Sequence, residues 1–257
     1  MLNAFSLKHP MSADLTAGTQ AAFLTAEMRH IAMLNFVADP SWLRPLVPAG
    51  TELDLWNGTA LISLIGLRFL KSKTWGIPIP FHACFEQVNL RFYVCRREGS
   101  EIRKGVVFVR EVVPRNAIAM AARLVYNERY VCLPMSHSIQ PQPDGGLHVE
   151  YRWRSGRGWN HLRLRAGGEP RLPDEGSEEQ FIVEHYCGYV AQRDGGCLEY
   201  RLAHPSWRLT PSRDAVYEGD AEELYGRELA TVIRGEPSSA FLAEGSAVTV
   251  YRGKRLS

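Results

Sequence analysis

Between residues 86 and 94, apolar and polar side chains alternate with a period of two. Val88, Leu90, Phe92 and Val94 interleave with Gln87, Asn89, Arg91 and Tyr93. A helix would scatter both sets around its circumference, whereas a strand places each set on one face. The stretch 83–95 therefore reads as a strand, and 105–113 supplies a partner across the polar turn 97–103. Further strand-like stretches lie at 31–37, 51–55, 59–69, 147–154, 159–165, 197–202 and 247–252. Asn57-Gly58 lies between the second and third of these and offers the positive φ values of a type I′ hairpin turn.

Helical signals are few. Asp39 followed by Pro40 is an N-cap with proline at the first helical position, and Pro45 and Pro48 keep that helix short. Residues 116–124 favour helix and are apolar on nearly every side, so they must be buried. Helical patterns also occur at 178–189 and 221–231, and 14–26 offers a short helix at most. With no repeat, low-complexity tract or linker, the expectation is a mainly β domain over 29–257 with a few helices, preceded by an extension over 1–28.

Composition excludes several function classes. Thirty Lys+Arg against 28 Asp+Glu give a net charge of +2, too mild for nucleic acid or an anionic membrane as partner. No apolar run approaches the roughly 18 residues that span a bilayer, and no secretory leader pattern is present, so a cytoplasmic protein is expected. Five cysteines (Cys84, Cys95, Cys132, Cys187, Cys197) without a C-x-x-C pair indicate neither a disulfide framework nor a zinc knuckle. Asn57-Gly58-Thr59 matches a glycosylation sequon and reads as a turn. No dinucleotide-binding, Walker A, serine hydrolase, zincin or EF-hand motif is found, and no cofactor is called for.

Glu86 is the most informative candidate. Alternation puts its carboxylate on the apolar face of 83–95, where it must pair with a cation or hold a proton. A structural ion pair, a strand-end position reaching solvent and a place in a ligand pocket all satisfy that requirement. The arginines and aromatics of 151–165 interleave as in nucleic-acid binders, and equally as in a hairpin with one solvated face, which the near-neutral charge favours. His82 and Glu86 share a face but lack further metal ligands. In His204-Pro205-Ser206-Trp207 the tryptophan reads as a core plug.

Several segments together resemble the YqjF-like branch of the acetoacetate decarboxylase-like superfamily. They are the opening run 37–48 with Glu52-Leu53, the run Phe85-Glu86-Gln87-Val88-Asn89-Leu90-Arg91-Phe92, the strand beginning Gly105-Val106-Val107-Phe108, Ala122-Arg123, and His204-Pro205-Ser206-Trp207. The resemblance spans about residues 29–256. It implies a β-sandwich or cone-shaped barrel enclosing a small-molecule cavity, in proteins that often form homo-oligomers. In the decarboxylases a lysine forms a Schiff base with a β-keto acid, a second lysine depresses its pKa, and a glutamate and an arginine line the pocket. Carried over by motif, the glutamate is Glu86 and the carboxylate-binding arginine falls on Arg29 or His30. The nucleophilic lysine falls on Tyr130, with Val131 in place of the second. A phenol cannot form a Schiff base. The only lysines are Lys8, Lys71, Lys73, Lys104 and Lys254, which leaves 105–253 without one.

The resulting expectation is a small-molecule pocket without Schiff-base decarboxylase activity, recognising a carbonyl or carboxylate compound. Arg123 or Arg29 would pair the anion, Glu86 would hydrogen-bond or transfer a proton, and Tyr126 and Tyr130 would place polar tips on apolar walls. Two alternatives stay open: an enzyme with Glu86 as general acid or base in enolisation, dehydration or hydrolysis, and an interaction module whose cavity is vestigial.

Overall fold

The computed structural model describes residues 21–78, 83–156 and 158–256, without the side chains of 121–125. The chain is mostly strand. In order these are β1 (Ala22–Ala38), β2 (Glu52–Leu53), β3 (Ala60–Thr74), β4 (Ile77–Pro78), β5 (Phe85–Glu98), β6 (Glu101–Val113), β7 (Tyr130–Cys132) and β8 (Met135–Pro141). There follow β9 (Leu147–Ser155), β10 (Gly158–Ala166), β11 (Cys187–Ala191), β12 (Cys197–Ala203), β13 (Leu209–Glu218), β14 (Ser239–Ala243), β15 (Ala247–Tyr251) and β16 (Lys254–Leu256). The helices are short: α1 (Pro40–Leu43), α2 (Asn116–Tyr126), α3 (Glu178–Val183), α4 (Glu222–Tyr225) and α5 (Arg227–Ile233). None of them is long and apolar enough to cross a membrane.

β1 pairs with both β3 and β15, and the path β3, β5, β6, β11, β12, β15 leads back to β1, so these strands close into a ring. All neighbours in it are antiparallel except β6 and β11. β1 also opens a branch. Its first part pairs β15, and beyond a bulge at Arg29–Ala32 its second part pairs β14. From β14 a second sheet runs through β13, β10 and β9 to β8. The bulge is held from across the layers. His30 adopts φ 51°, and the Tyr151 hydroxyl of β9 donates to its carbonyl at 2.8 Å.

The second sheet packs its apolar face, including Val149, Tyr151, Trp153 and Leu162, on Leu34, Leu64, Val88 and Leu90 of the ring. The opposite faces of the same ring strands contribute Ile31, Met33, Ile65 and Tyr93 to a separate inner cluster with Phe181 and Trp207. β1, β3 and β5 are thus covered on both sides, which explains the nearly continuous apolar runs at 31–37 and 60–67.

Several local signals act as expected. Asp39 Oδ1 accepts from the Ser41 amide at 2.8 Å and caps α1. Asn57 and Gly58 have φ 47° and 81°, in a turn closed by Trp56 and Thr59. The strand before that turn, however, pairs with β5 and not β3. The pattern at 178–189 splits into α3 and β11, and that at 221–231 breaks at Gly226, φ 80°. Ala22–Glu27 pairs with β15, so the ring takes in residues read as part of the extension.

Candidate functional site

The inner face of the ring encloses a cavity of about 310 Å³ with mainly apolar walls. Three of its polar groups come from the half of β5 that alternation sets against the sheet-packing face: Gln87, Asn89 and Arg91 all line it. Gln87 and Arg91 are four positions apart on the strand, roughly 13 Å at ~3.3 Å per residue, and mark two polar ends of the cavity.

At the Gln87 end two carboxyls meet. Glu111 of β6 accepts from Gln87 Nε2 at 2.6 Å, and Glu128, just before β7, accepts from the Tyr200 hydroxyl at 3.1 Å. The two glutamates lie within hydrogen-bonding reach of each other, and the Tyr130 phenol stands against Glu111. Glu111 is 2 % exposed and Glu128 7 %. Burial, followed by the neighbouring carboxylate, pushes Glu111 well above the usual carboxyl range. Burial also pushes Glu128 up to about 8, against hydrogen bonds from Tyr200 and the Arg129 backbone. A buried pair of this kind titrates as a unit and keeps protons that exposed glutamates lose near pH 4. Tyr130 and Tyr200 are pushed up too, by burial and by these carboxylates, and stay neutral donors. Asn89, register partner of Glu111, is 4 % exposed, and its Oδ1 has no partner.

At the other end Arg91 Nη2 donates to the Ile182 carbonyl at 3.0 Å, and its guanidinium lies 5.5 Å from the Tyr93 ring centre. Its Nε is buried without a partner, and no described carboxylate forms an ion pair with it. Two imidazoles flank it. His185 pairs through Nε2 with Asp54 at 3.2 Å, and burial lowers its pKa. His204 stacks on Trp207 at 4.0 Å, and burial lowers it to about 4. Both rings are therefore neutral at pH 7, while Arg91 keeps its charge.

The structure separates the residues singled out by sequence. Tyr126 and Tyr130 line the cavity, and no lysine is among its described lining residues. Glu86 does not line it. β5 turns Glu86 toward the second sheet, where Oε1 meets His137 Nδ1 of β8 at 2.6 Å. The expectation followed the apolar face of β5 and took it for the pocket face, but that face is spent on packing against the second sheet. Arg29 and His30 are not lining residues either. Arg29 pairs with Glu27 at 3.1 Å and donates to the Gly245 carbonyl, and His30 sits at the β1 bulge with its pKa lowered by burial. The Arg123 side chain and His82 lie outside the described residues. Trp207 is buried and also lines the cavity, and its Nε1 donates to Ser246 Oγ at 2.9 Å.

Sequence reasoning missed Gln87, Asn89, Arg91, Glu111, Glu128 and Tyr200. A usable signal was present for Glu111, a lone carboxylate in the apolar run 105–113. Nothing in the sequence ties Glu128 to it.

The model of the DUF2071 family, described as an uncharacterized conserved protein, matches residues 25–247. The uncharacterized protein YqjF of Bacillus subtilis (strain 168) is 24% identical over 197 residues, covering 76% of this chain and 78% of YqjF. Among solved structures, acetoacetate decarboxylase from Legionella pneumophila aligns with a TM-score of 0.65 at 12% identity, covering 100% of this chain and 98% of that one. The enduracididine biosynthesis enzyme MppR, complexed with pyruvate, gives 0.62 at 11% identity with 99% and 98% covered. An acetoacetate decarboxylase-like enzyme from Sphingomonas wittichii RW1 gives 0.60 at 14% identity with 97% and 99% covered. At these identities the likeness establishes an acetoacetate decarboxylase-like fold.

Proposed function

The chain belongs to the DUF2071 family of uncharacterized conserved proteins, and from that premise we propose that it binds a small, largely apolar carboxylate or carbonyl compound inside the ring without forming a Schiff base. The observation that carries this reading is Arg91: a guanidinium that lines an apolar cavity, has a partnerless buried Nε and lacks a carboxylate partner. A fixed cation in apolar walls favours an anionic group with an apolar body. The pyruvate held by MppR, on the same fold, supports a carbonyl compound as the class. Against a Schiff base stand the phenol of Tyr130 and the placement of Lys71 and Lys104. Lys71 is 74 % exposed and paired with Glu27, and Lys104 is paired with Asp54 at 3.3 Å. A cavity of about 310 Å³ also favours ligand binding over a vestigial, filled interior.

Titration calorimetry with 7-oxooctanoate, which carries a carboxylate, an apolar chain and a ketone, tests the reading. Binding is expected, with Arg91→Met weakening it at least tenfold. Equal affinity in the variant would remove Arg91 as the anchor. Borohydride added to the complex is expected to leave the protein mass unchanged, and a reduced covalent adduct would overturn the non-covalent reading.

A further inference from the structure

We infer that Glu111 and Glu128 form an acid–base pair that enolises a ketone held at the Gln87 end of the cavity. This rests on the binding reading above and assigns the chemistry to groups other than Glu86. The two carboxyls are buried side by side on the cavity wall, with Gln87 donating to one and Tyr200 to the other. Independently of them, the Asn89 amide lines the same space, is 4 % exposed and has its Oδ1 unpartnered. A buried acceptor left open is costly unless something donates to it, and the hydroxyl of an enol is such a donor.

The proton bookkeeping closes on the pair itself. With one proton shared, the ionised carboxylate removes a proton from the carbon beside the carbonyl, and the electron pair of that C–H bond becomes the C=C bond. The carbonyl π pair takes the proton of the other carboxyl, giving a neutral enol. The pair then again carries one proton, and no oxidant or reductant takes part. Reversal returns a proton to carbon, and exchange of the carboxyl protons with solvent makes it deuterium in D2O. The groups facing the pair are Tyr130 from β7, Tyr200 from β12, Gln87 from β5 and the neighbouring Arg129. Both phenols are held neutral, so each serves as a hydrogen-bond donor while the carboxyls move the proton.

The test follows deuterium entry at the carbons flanking the ketone of 7-oxooctanoate in D2O by NMR, beside calorimetric binding under the same conditions. Exchange at least about 100-fold above the protein-free rate is expected, in the range of positioned acid–base catalysis. Glu111→Gln and Glu128→Gln should each abolish it while binding persists. Binding without exchange, or exchange unchanged in both variants, overturns the acid–base pair and leaves the binding reading intact. Absence of binding overturns both. If the variants do not fold, the unaltered protein decides: protein-dependent exchange should rise as pH passes through about 8, where the pair gives up its first proton, and a flat profile overturns the proposal.

Discussion

Glu128 shows how one buried carboxyl ties the chemistry of the cavity to the stability of the fold. In the unfolded chain it titrates near 4.5, and in the folded protein burial raises it to about 8. Between these values the folded protein holds a proton that the unfolded chain has released, so stability falls as pH rises. The contribution is complete below about 4.5 and lost as pH passes about 8. Urea denaturation at intervals from about pH 5 to 9 should therefore show declining stability, and Glu128→Gln should flatten that decline. An unchanged slope in the variant would place the carboxyl elsewhere than in this environment. Arg91 is the complementary case at the far end of the cavity. Its charge is fixed, so ligand anchoring there should not follow pH over the same range.

Among elements, aromatic side chains lie across two glycines of the ring, one from the second sheet and one from a neighbouring strand. A Cβ on Gly66 of β3 would collide with the ring of Tyr151, the residue whose hydroxyl holds the β1 bulge. Gly66→Ala is expected to cost about 1–3 kcal/mol, as overpacking in a dense core does, measured as a lower denaturation midpoint. Gly188 of β11 is the counterpart inside the ring. It pairs in register with Tyr200, and a Cβ there would strike the phenol ring. Gly188→Ala should displace Tyr200 from Glu128 and slow deuterium exchange into 7-oxooctanoate, while Gly66→Ala should leave exchange intact in the folded fraction. Equal exchange in both variants would detach Tyr200 from the acid–base pair.

At the scale of the whole molecule, the cavity exists only because the strands close, so a ligand that fills it stabilises the folded state alone. At 100 times its dissociation constant, 7-oxooctanoate should raise the unfolding free energy by about 2.7 kcal/mol, read as a shift in the denaturation midpoint. A bound ligand giving no such shift would have to bind the unfolded chain equally well. Much of the architecture was legible beforehand. The period-two pattern gave β5, the apolar run after the turn gave β6 and Asp39-Pro40 gave α1, because these signals are local, while the order of motifs gave the decarboxylase-like fold. The face of β5 that meets the cavity was not legible. Alternation divides a strand into two sets but carries no label for which is inside, and in a ring covered by a second sheet the apolar set is used between the layers. That is why the apolar face points to Glu86, although Gln87, Asn89 and Arg91 lie on the same strand. The sequence by itself determined that the chain is β-rich, that 105–253 lacks a lysine and that position 130 is a phenol. Only the tertiary structure decided that Glu111 and Glu128 meet, since they come from different strands' ends and share a wall only once β6 and β7 run side by side. Their raised pKa values follow from burial that no sequence window contains.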